Sequence, residues 1–184
     1  MHWVALFSQT GSEINRLARE LGRWPNEIYT NNLRVEEWKD NINPWFVDEH
    51  IGTVDSINNM LRERKDLFIT LHGYLRIIPS DICYRHNIYN GHPGLITLYP
   101  ELKGKDPQEK LFDRIDWYPH IGSVVHKCTP ELDGGKIVSW CQVNNSCKTR
   151  EDVYNTLKDT SLLAWKLFLK GKDRKSTRLN SSHV

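Results

Sequence analysis

The sequence predicts a three-layer α/β fold on a mainly parallel sheet, with one or two antiparallel strands late in the chain. Three observations carry this reading. Trp3-Val4-Ala5-Leu6-Phe7 is a continuous apolar run closed by Ser8-Gln9-Thr10-Gly11, and Ile14, Leu17, Ala18 and Leu21 then recur at helical spacing up to Gly22. A strand that feeds a helix through a tight turn is the first half of a βαβ unit, which places helices on the faces of a parallel sheet. Near the other end, residues 121–128 and 136–143 read as two strands joined through Asp133-Gly134-Gly135, a hairpin signal that makes this pair antiparallel. No internal repeat or linker divides the chain, so residues 1–172 are expected to form one domain.

The elements between follow in order. Residues 27–30 read as the second strand. Residues 31–53, with Pro44, Trp38 and Trp45, read as irregular connection and helix fragments. Residues 55–64 are helical with Ile57, Met60 and Leu61 inward, and residues 67–71 form a buried strand in a segment that ends at Pro79. A short strand at 87–90 runs into a loop that holds His92, and residues 107–115 form a helix behind Pro107. Thr149 caps the last helix, with Glu151 and Asp152 in its first turn, apolar Val153, Leu157, Leu163, Leu167 and Phe168, and Gly171 at its end.

Composition narrows the class. With 184 residues, 39% hydrophobic and 26% charged, the chain is long enough for one buried core. Mean hydropathy is −0.59 and no apolar run approaches bilayer length, while the first residues lack a basic region and a cleavage site. A cytoplasmic protein with reduced thiols is expected, because the cysteines at 83, 128, 141 and 147 lack the paired spacing of zinc ribbons. Cys83 and His86 make a lone Cys-x-x-His pair with no second pair at ligand spacing, so no metal site is assigned.

Residues 173–183, Asp-Arg-Lys-Ser-Thr-Arg-Leu-Asn-Ser-Ser-His, match the in-frame translation of a sequencing adapter. Residues 173–184 are therefore read as a non-native, disordered tail on a gene assembled from bulk, metagenomic reads. Without Arg174, Lys175, Arg178 and Asp173, the 25 basic and 23 acidic residues fall to 22 of each. The slight basic balance belongs to the tail, and no nucleic acid or membrane partner is implied.

The chemistry-bearing residues cluster in two segments. Asn90-Gly91-His92-Pro93 and Glu131-Leu132-Asp133-Gly134-Gly135 put an amide, an imidazole and a carboxylate at the ends of neighbouring predicted strands. Asn90 and His92 stand two apart on an extended segment, so both side chains can aim at one oxygen, and a carboxylate near an imidazole favours its charged form. Such a trio is equipped for acyl transfer. Taken singly, His92-Pro93 also fits a plain turn and Asp133-Gly134-Gly135 a plain hairpin tip.

With Asn90-Gly91-His92-Pro93-Gly94-Leu95, Ser123-Val124-Val125-His126 and Leu132-Asp133-Gly134-Gly135 in this order, the chain resembles the folate-dependent formyltransferases, most closely those acting on glycinamide ribonucleotide. The likeness extends to Gly73-Tyr74-Leu75-Arg76-Ile77-Ile78 and to Thr10-Gly11-Ser12, and covers most of residues 1–172. It implies the formyltransferase fold, a Rossmann-like sheet, and transfer of a formyl group from 10-formyltetrahydrofolate to a primary amine, with the nucleotide amine of glycinamide ribonucleotide in purine synthesis as the expected acceptor. By the same resemblance Asn90 holds the formyl group, protonated His92 donates to its oxygen, and Asp133 helps remove the amine proton through water. His126, on a strand, is read as structural. Leu75, Arg76, Ile77, Ile78, Asn90, Thr129, Pro130, Glu131, Leu132 and Asp133 correspond to segments that bind the cofactor, largely through backbone groups in an apolar slot. Without the resemblance, Ile77 and Ile78 read as ordinary core and Arg76 as a surface cation.

The acceptor side departs from the family pattern. Gly11, Ser12 and Glu13 match the segment that binds the substrate phosphate at the first helix N-terminus, where the family has Gly-Ser-Asn. Glu13 repels a phosphate there unless it turns away, and it also has an ordinary role as a first-turn acid. His72, where the family has a small residue, either protrudes into the pocket or stacks in the core. Lys103 and Lys105 either grip an anionic acceptor or belong to a solvated loop. Other readings are a formyltransferase for an amino-sugar nucleotide or modified nucleotide, a formyltetrahydrofolate hydrolase, and a folate-binding protein without turnover. Hydrolases of this kind carry an extra N-terminal domain, whereas the first strand here starts at residue 3.

Overall fold

The computed structural model describes the backbone of residues 2–180 and the side chains of residues 2–172. The chain divides into two compact units, one made of the residues up to Asn90 with Lys127–Pro130, the other of Gly91–His126 with the residues from Glu131 onward.

The first unit is the expected three-layer parallel sandwich. Strands β1 (Trp3–Phe7), β2 (Glu27–Thr30), β3 (Asp48–Ile51), β4 (Phe68–Leu71) and β5 (Asn87–His92) run parallel in the order β3-β2-β1-β4-β5. All five residues of β1 are buried, as a central parallel strand covered on both faces requires. Its alternate residues sort into two clusters. Val4 and Leu6 pack with Ile57 and Leu61 of α2 (Val54–Arg62) and Ile82 of α3 (Ser80–Arg85), while Ala5 and Phe7 pack with Ile14 of α1 (Ser12–Leu21), Trp38, Ile42 and Val47. Helix α1 thus covers one face and α2 with α3 the other.

The second unit holds α4 (Pro107–Asp113), the antiparallel pair β6 (His120–Lys127) and β7 (Ile137–Asn144), and α5 (Arg150–Asn180), which packs on β7. Thr149 Oγ1 accepts the Asp152 N–H at 3.1 Å, the expected cap.

Five expectations are corrected. Within residues 31–53 lies the edge strand β3, whose Asp48-Glu49-His50-Ile51 has no buried residue and so no apolar alternation to reveal it. Helix α3 fills the interval between Pro79 and His86, too short for a periodic signal. β5 continues through Gly91 to His92, which makes His92 a strand residue. On α5, Leu163 and Leu167 are exposed, and the sheet-facing stripe runs through Thr160, Ala164, Trp165 and Leu169. Small residues are needed there because Ser123 Oγ donates to the Leu157 carbonyl and Ser139 Oγ to the Ala164 carbonyl, each at 2.8 Å, so the helix backbone lies directly on the strands. Finally, α5 passes through Gly171 to Asn180: the following residues include no proline and several straight-chain cations that favour helix. The expected disordered tail is helical in its backbone to that point, and residues 181–184 lie outside the described ones.

Candidate active site

His92 ends β5 and Asp133 lies in the connection from β6 to β7, both in the second unit. That connection spans residues 128–136, longer than a two-residue hairpin, and within it Asp133 adopts a left-handed backbone with φ 49°. Asp tolerates this conformation better than most residues. The turn delivers a carboxylate that is 8% exposed.

Asp133 is held from three sides. Its Oδ2 accepts the Gly104 N–H at 2.8 Å and lies 3.4 Å from His92 Nδ1, and its Oδ1 lies 3.4 Å from His126 Nε2. Burial raises the carboxyl, but the His126 bond, the His92 charge and the Gly104 N–H outweigh it and hold Asp133 at about 2. The group is therefore an anion at any physiological pH. His126, read from the sequence as a structural strand residue, shares this carboxylate with His92, and the signal that pointed to it was its place at the end of Ser123-Val124-Val125-His126.

His92 differs from expectation in one respect. Burial lowers its pKa, and the Asp133 charge and the Leu102 carbonyl, which both raise it, do not fully compensate. The carboxylate does favour the charged ring, as expected, but the imidazole is only 5% exposed and desolvation outweighs that pull. Its Nε2–H donates to the Leu102 carbonyl at 2.8 Å. The segment Leu102–Gly104 thus holds His92 through a carbonyl and Asp133 through an N–H. Lys110 Nζ anchors that segment by donating to the Lys103 carbonyl at 2.8 Å and the Glu101 carbonyl at 3.1 Å. Lys103 contributes here through its backbone, and the exposed Lys105 lies beside Asp106. Glu131 and Leu132, just before Asp133, are exposed.

The first unit carries the remaining candidates. Asn90 is half-buried and pairs in register with Leu71; as alternate residues of β5, Asn90 and His92 face the same side of that strand. Of the segment matched to cofactor binding, Ile78 belongs to the core whereas Leu75 and Ile77 are 63% and 80% exposed, with Arg76 exposed between them. Thr129 and Pro130 follow Cys128, whose N–H donates to the Ile88 carbonyl at 2.8 Å. Cys83 and His86 are buried, with Nδ1 of His86 accepting the Leu67 N–H at 3.2 Å and its Nε2 donating to the Leu61 carbonyl at 2.8 Å.

Gly11 precedes α1 with φ 66°, and Ser12 Oγ receives the Thr10 hydroxyl at 3.1 Å. The alternative left open for His72 is settled in favour of the core. Its side chain is fully buried, with Nδ1 2.8 Å from Glu13 Oε2 and Nε2 2.8 Å from Thr70 Oγ1, which also takes the Trp3 indole N–H at 2.7 Å. In the same unit a cleft of about 720 Å³ opens among Ser8–Thr10, Asn31–Arg34, Glu37, Leu75 and Arg76.

Solved structures share this fold. Phosphoribosylglycinamide formyltransferase from Anaplasma phagocytophilum superposes with a TM-score of 0.75 at 21% identity, over 91% of this chain and 84% of that one. The phosphoribosylglycinamide formyltransferase from Campylobacter jejuni gives 0.74 at 17% identity, over 92% and 95%. A formyltetrahydrofolate deformylase from Pseudomonas syringae gives 0.69 at 19% identity, over 94% of this chain and 61% of that one. No protein-family model and no curated protein matches the sequence.

Proposed function

We propose that the protein is an enzyme that transfers a formyl group from 10-formyltetrahydrofolate to a primary amine, with glycinamide ribonucleotide as the acceptor and purine synthesis as the setting. The observation that carries the reading is the buried Asp133 carboxylate, 3.4 Å from two imidazoles, in a fold shared with solved phosphoribosylglycinamide formyltransferases. In formyl transfer the amine nitrogen would bond to the formyl carbon, the donor's bond from N10 to that carbon would break, and the proton lost by the amine would end on N10, so the site needs a donor at the carbonyl oxygen and a carrier for the amine proton. His92 supplies the first, its Nε2–H turning from the Leu102 carbonyl to the formyl oxygen as that oxygen gains charge, with the Asn90 amide as a second donor. Each such donor is worth on the order of 3 kcal/mol in acyl transfer. Asp133, ionised throughout, works against the burial that disfavours protonation of the His92 ring, and takes the amine proton through water.

The donor supplies the formyl group, and the residues matched to it suit a flat aromatic body. Leu75 and Ile77 leave apolar side chains uncovered beside the Arg76 backbone, a surface fitted to a pterin. Leu75, Arg76, Ile77, Ile78, Thr129 and Pro130 read the pterin edge through backbone groups, and Glu131 and Leu132 lead the chain into Asp133. Gly11 and Ser12, at the start of α1, stand on the acceptor side, whereas the Glu13 carboxylate is engaged by His72. The four free thiols accord with a cytoplasmic setting, and among the described residues no helix is long and apolar enough to cross a membrane.

The test is incubation with 10-formyltetrahydrofolate and a panel of amines, followed by mass spectrometry. A product 28 Da heavier than glycinamide ribonucleotide is expected, from formyl replacing hydrogen. Formylation of another amine alone would move the acceptor and keep the reaction, and free formate as the sole product would make the protein a hydrolase.

A further inference from the structure

We infer that the phosphate end of the acceptor is held in the cleft beside Arg76, with Arg34, instead of at the N-terminus of α1. The inference deepens the formyl-transfer reading and rests on it for there being an acceptor. In the parallel order β3-β2-β1-β4-β5 the chain leaves β1 toward β2 and β3, then returns to the other side of β1 as β4. The topological switch point therefore lies between β1 and β4, and open parallel sheets bind ligands just outside the carboxyl ends of the strands at that point. The cleft of about 720 Å³ is there: Ser8 follows β1, Asn31 follows β2, and Arg76 lies in the connection after β4.

In such folds an anion ordinarily seats on the N-terminus of the first helix, where unsatisfied N–H groups and the helix dipole attract it. Here Glu13 brings a carboxylate into the first turn of α1. That carboxylate is fixed, because its partner His72 is fully buried and bonded in turn to Thr70, which receives the Trp3 indole N–H. A phosphate seated at α1 would stand next to an immobilised negative charge.

The cleft offers the opposite charge. Arg34 lies 2.6 Å from Glu37, and Glu37 also accepts the Asn32 amide at 3.0 Å, so the one acid lining the cleft is compensated. Arg76 is exposed and makes no ion pair among the described residues, so it gives the cleft a net positive charge. A guanidinium presents paired N–H donors that fit two phosphate oxygens at once, which a lysine does not. Arg76 thus has two roles, its backbone toward the pterin and its side chain toward the phosphate.

Ribose 5-phosphate is the probe, titrated calorimetrically without formyl donor so that binding is read whether or not turnover occurs. The expected result is binding by the unmodified protein, weakened at least tenfold in Arg76→Gln, partly restored in Arg76→Lys, weakened less in Arg34→Gln, and changed less than threefold in Glu13→Gln. Retained binding in Arg76→Gln with a tenfold gain in Glu13→Gln would return the phosphate to α1 and overturn the proposal. So would absence of binding by the unmodified protein. p-Aminobenzoylglutamate provides the second arm: if Arg76→Gln weakens it and spares ribose 5-phosphate, Arg76 serves the donor's carboxylate tail and the proposal fails. Failure of formyl transfer itself is read separately, from the product assay.

Discussion

A Cβ placed on Gly91 would lie 2.5 Å from the indole Nε1 of Trp165, closer than any real side chain tolerates. Gly91 separates Asn90 from His92 on β5, and Trp165 is a fully buried residue of α5. The glycine is therefore a packing requirement, which lets Trp165 of the last helix lie against the backbone immediately before His92.

Gly91→Ala should destabilise the fold by about 1–3 kcal/mol, the usual cost of overpacking a tight interior, and should lower turnover by displacing His92. Gly171→Ala is the control. Nothing lies within 4 Å of a Cβ there, and the site is helical, so that variant should gain up to about 1 kcal/mol. Urea unfolding of both variants decides; equal stabilities would remove the packing argument.

The sequence made β1, α1, β2, α2, β4 and the β6–β7 pair readable: the parallel strands are short runs buried on both faces, the helices repeat apolar residues along one face, and the last pair flanks a hairpin signal. It hid β3, an exposed edge strand, and the true inward stripe of α5, where close approach to β7 selects threonine and alanine over leucine. His92 and Asp133 were legible as residue types at suggestive places. The His126 contact was not, since it depends on a left-handed turn that swings Asp133 inward. Nor was the Glu13–His72 bond, which joins residues from two elements with no local signal.

His92→Ala and Asp133→Asn should each reduce turnover at least about a hundredfold while leaving folate binding largely intact. Asp133→Asn should also act on the ring. Burial pushes the His92 pKa below its ordinary 6.5 and Asp133 pulls it back up, so removing the carboxylate charge should lower it further. An NMR titration of the His92 ring protons measures this directly. A higher midpoint in Asp133→Asn would contradict the balance of burial and charge described here.

Truncation after Lys172 should leave both melting temperature and turnover unchanged. Lys172 lies 5.4 Å from the Phe168 ring centroid, and the sequence beyond it resembles translated adapter. A fall of several degrees on truncation would show that the tail contributes to the fold.

Acid should destabilise the protein through Glu27. This buried β2 carboxylate takes both terminal nitrogens of Arg64, at 2.5 and 2.8 Å, the Tyr29 hydroxyl at 3.0 Å, and His2. Burial alone would raise its pKa, but the Arg64, His2 and Tyr29 bonds prevail and bring it from 4.5 to about 2. A depressed carboxyl contributes stability that is complete above its unfolded pKa and is lost as pH falls toward the folded one. The loss should therefore run from about pH 4.5 down to 2. It should amount to roughly 2 kcal/mol, less than the bare shift implies because Arg64 and His2 reach solvent. Glu27→Gln should be less stable at pH 7 and show a flatter decline between pH 5 and 3, with the remaining slope due to Asp133 and the other carboxylates. Parallel stability curves for the two proteins over that range would mean that the Arg64–Glu27 cluster does not couple folding to protonation.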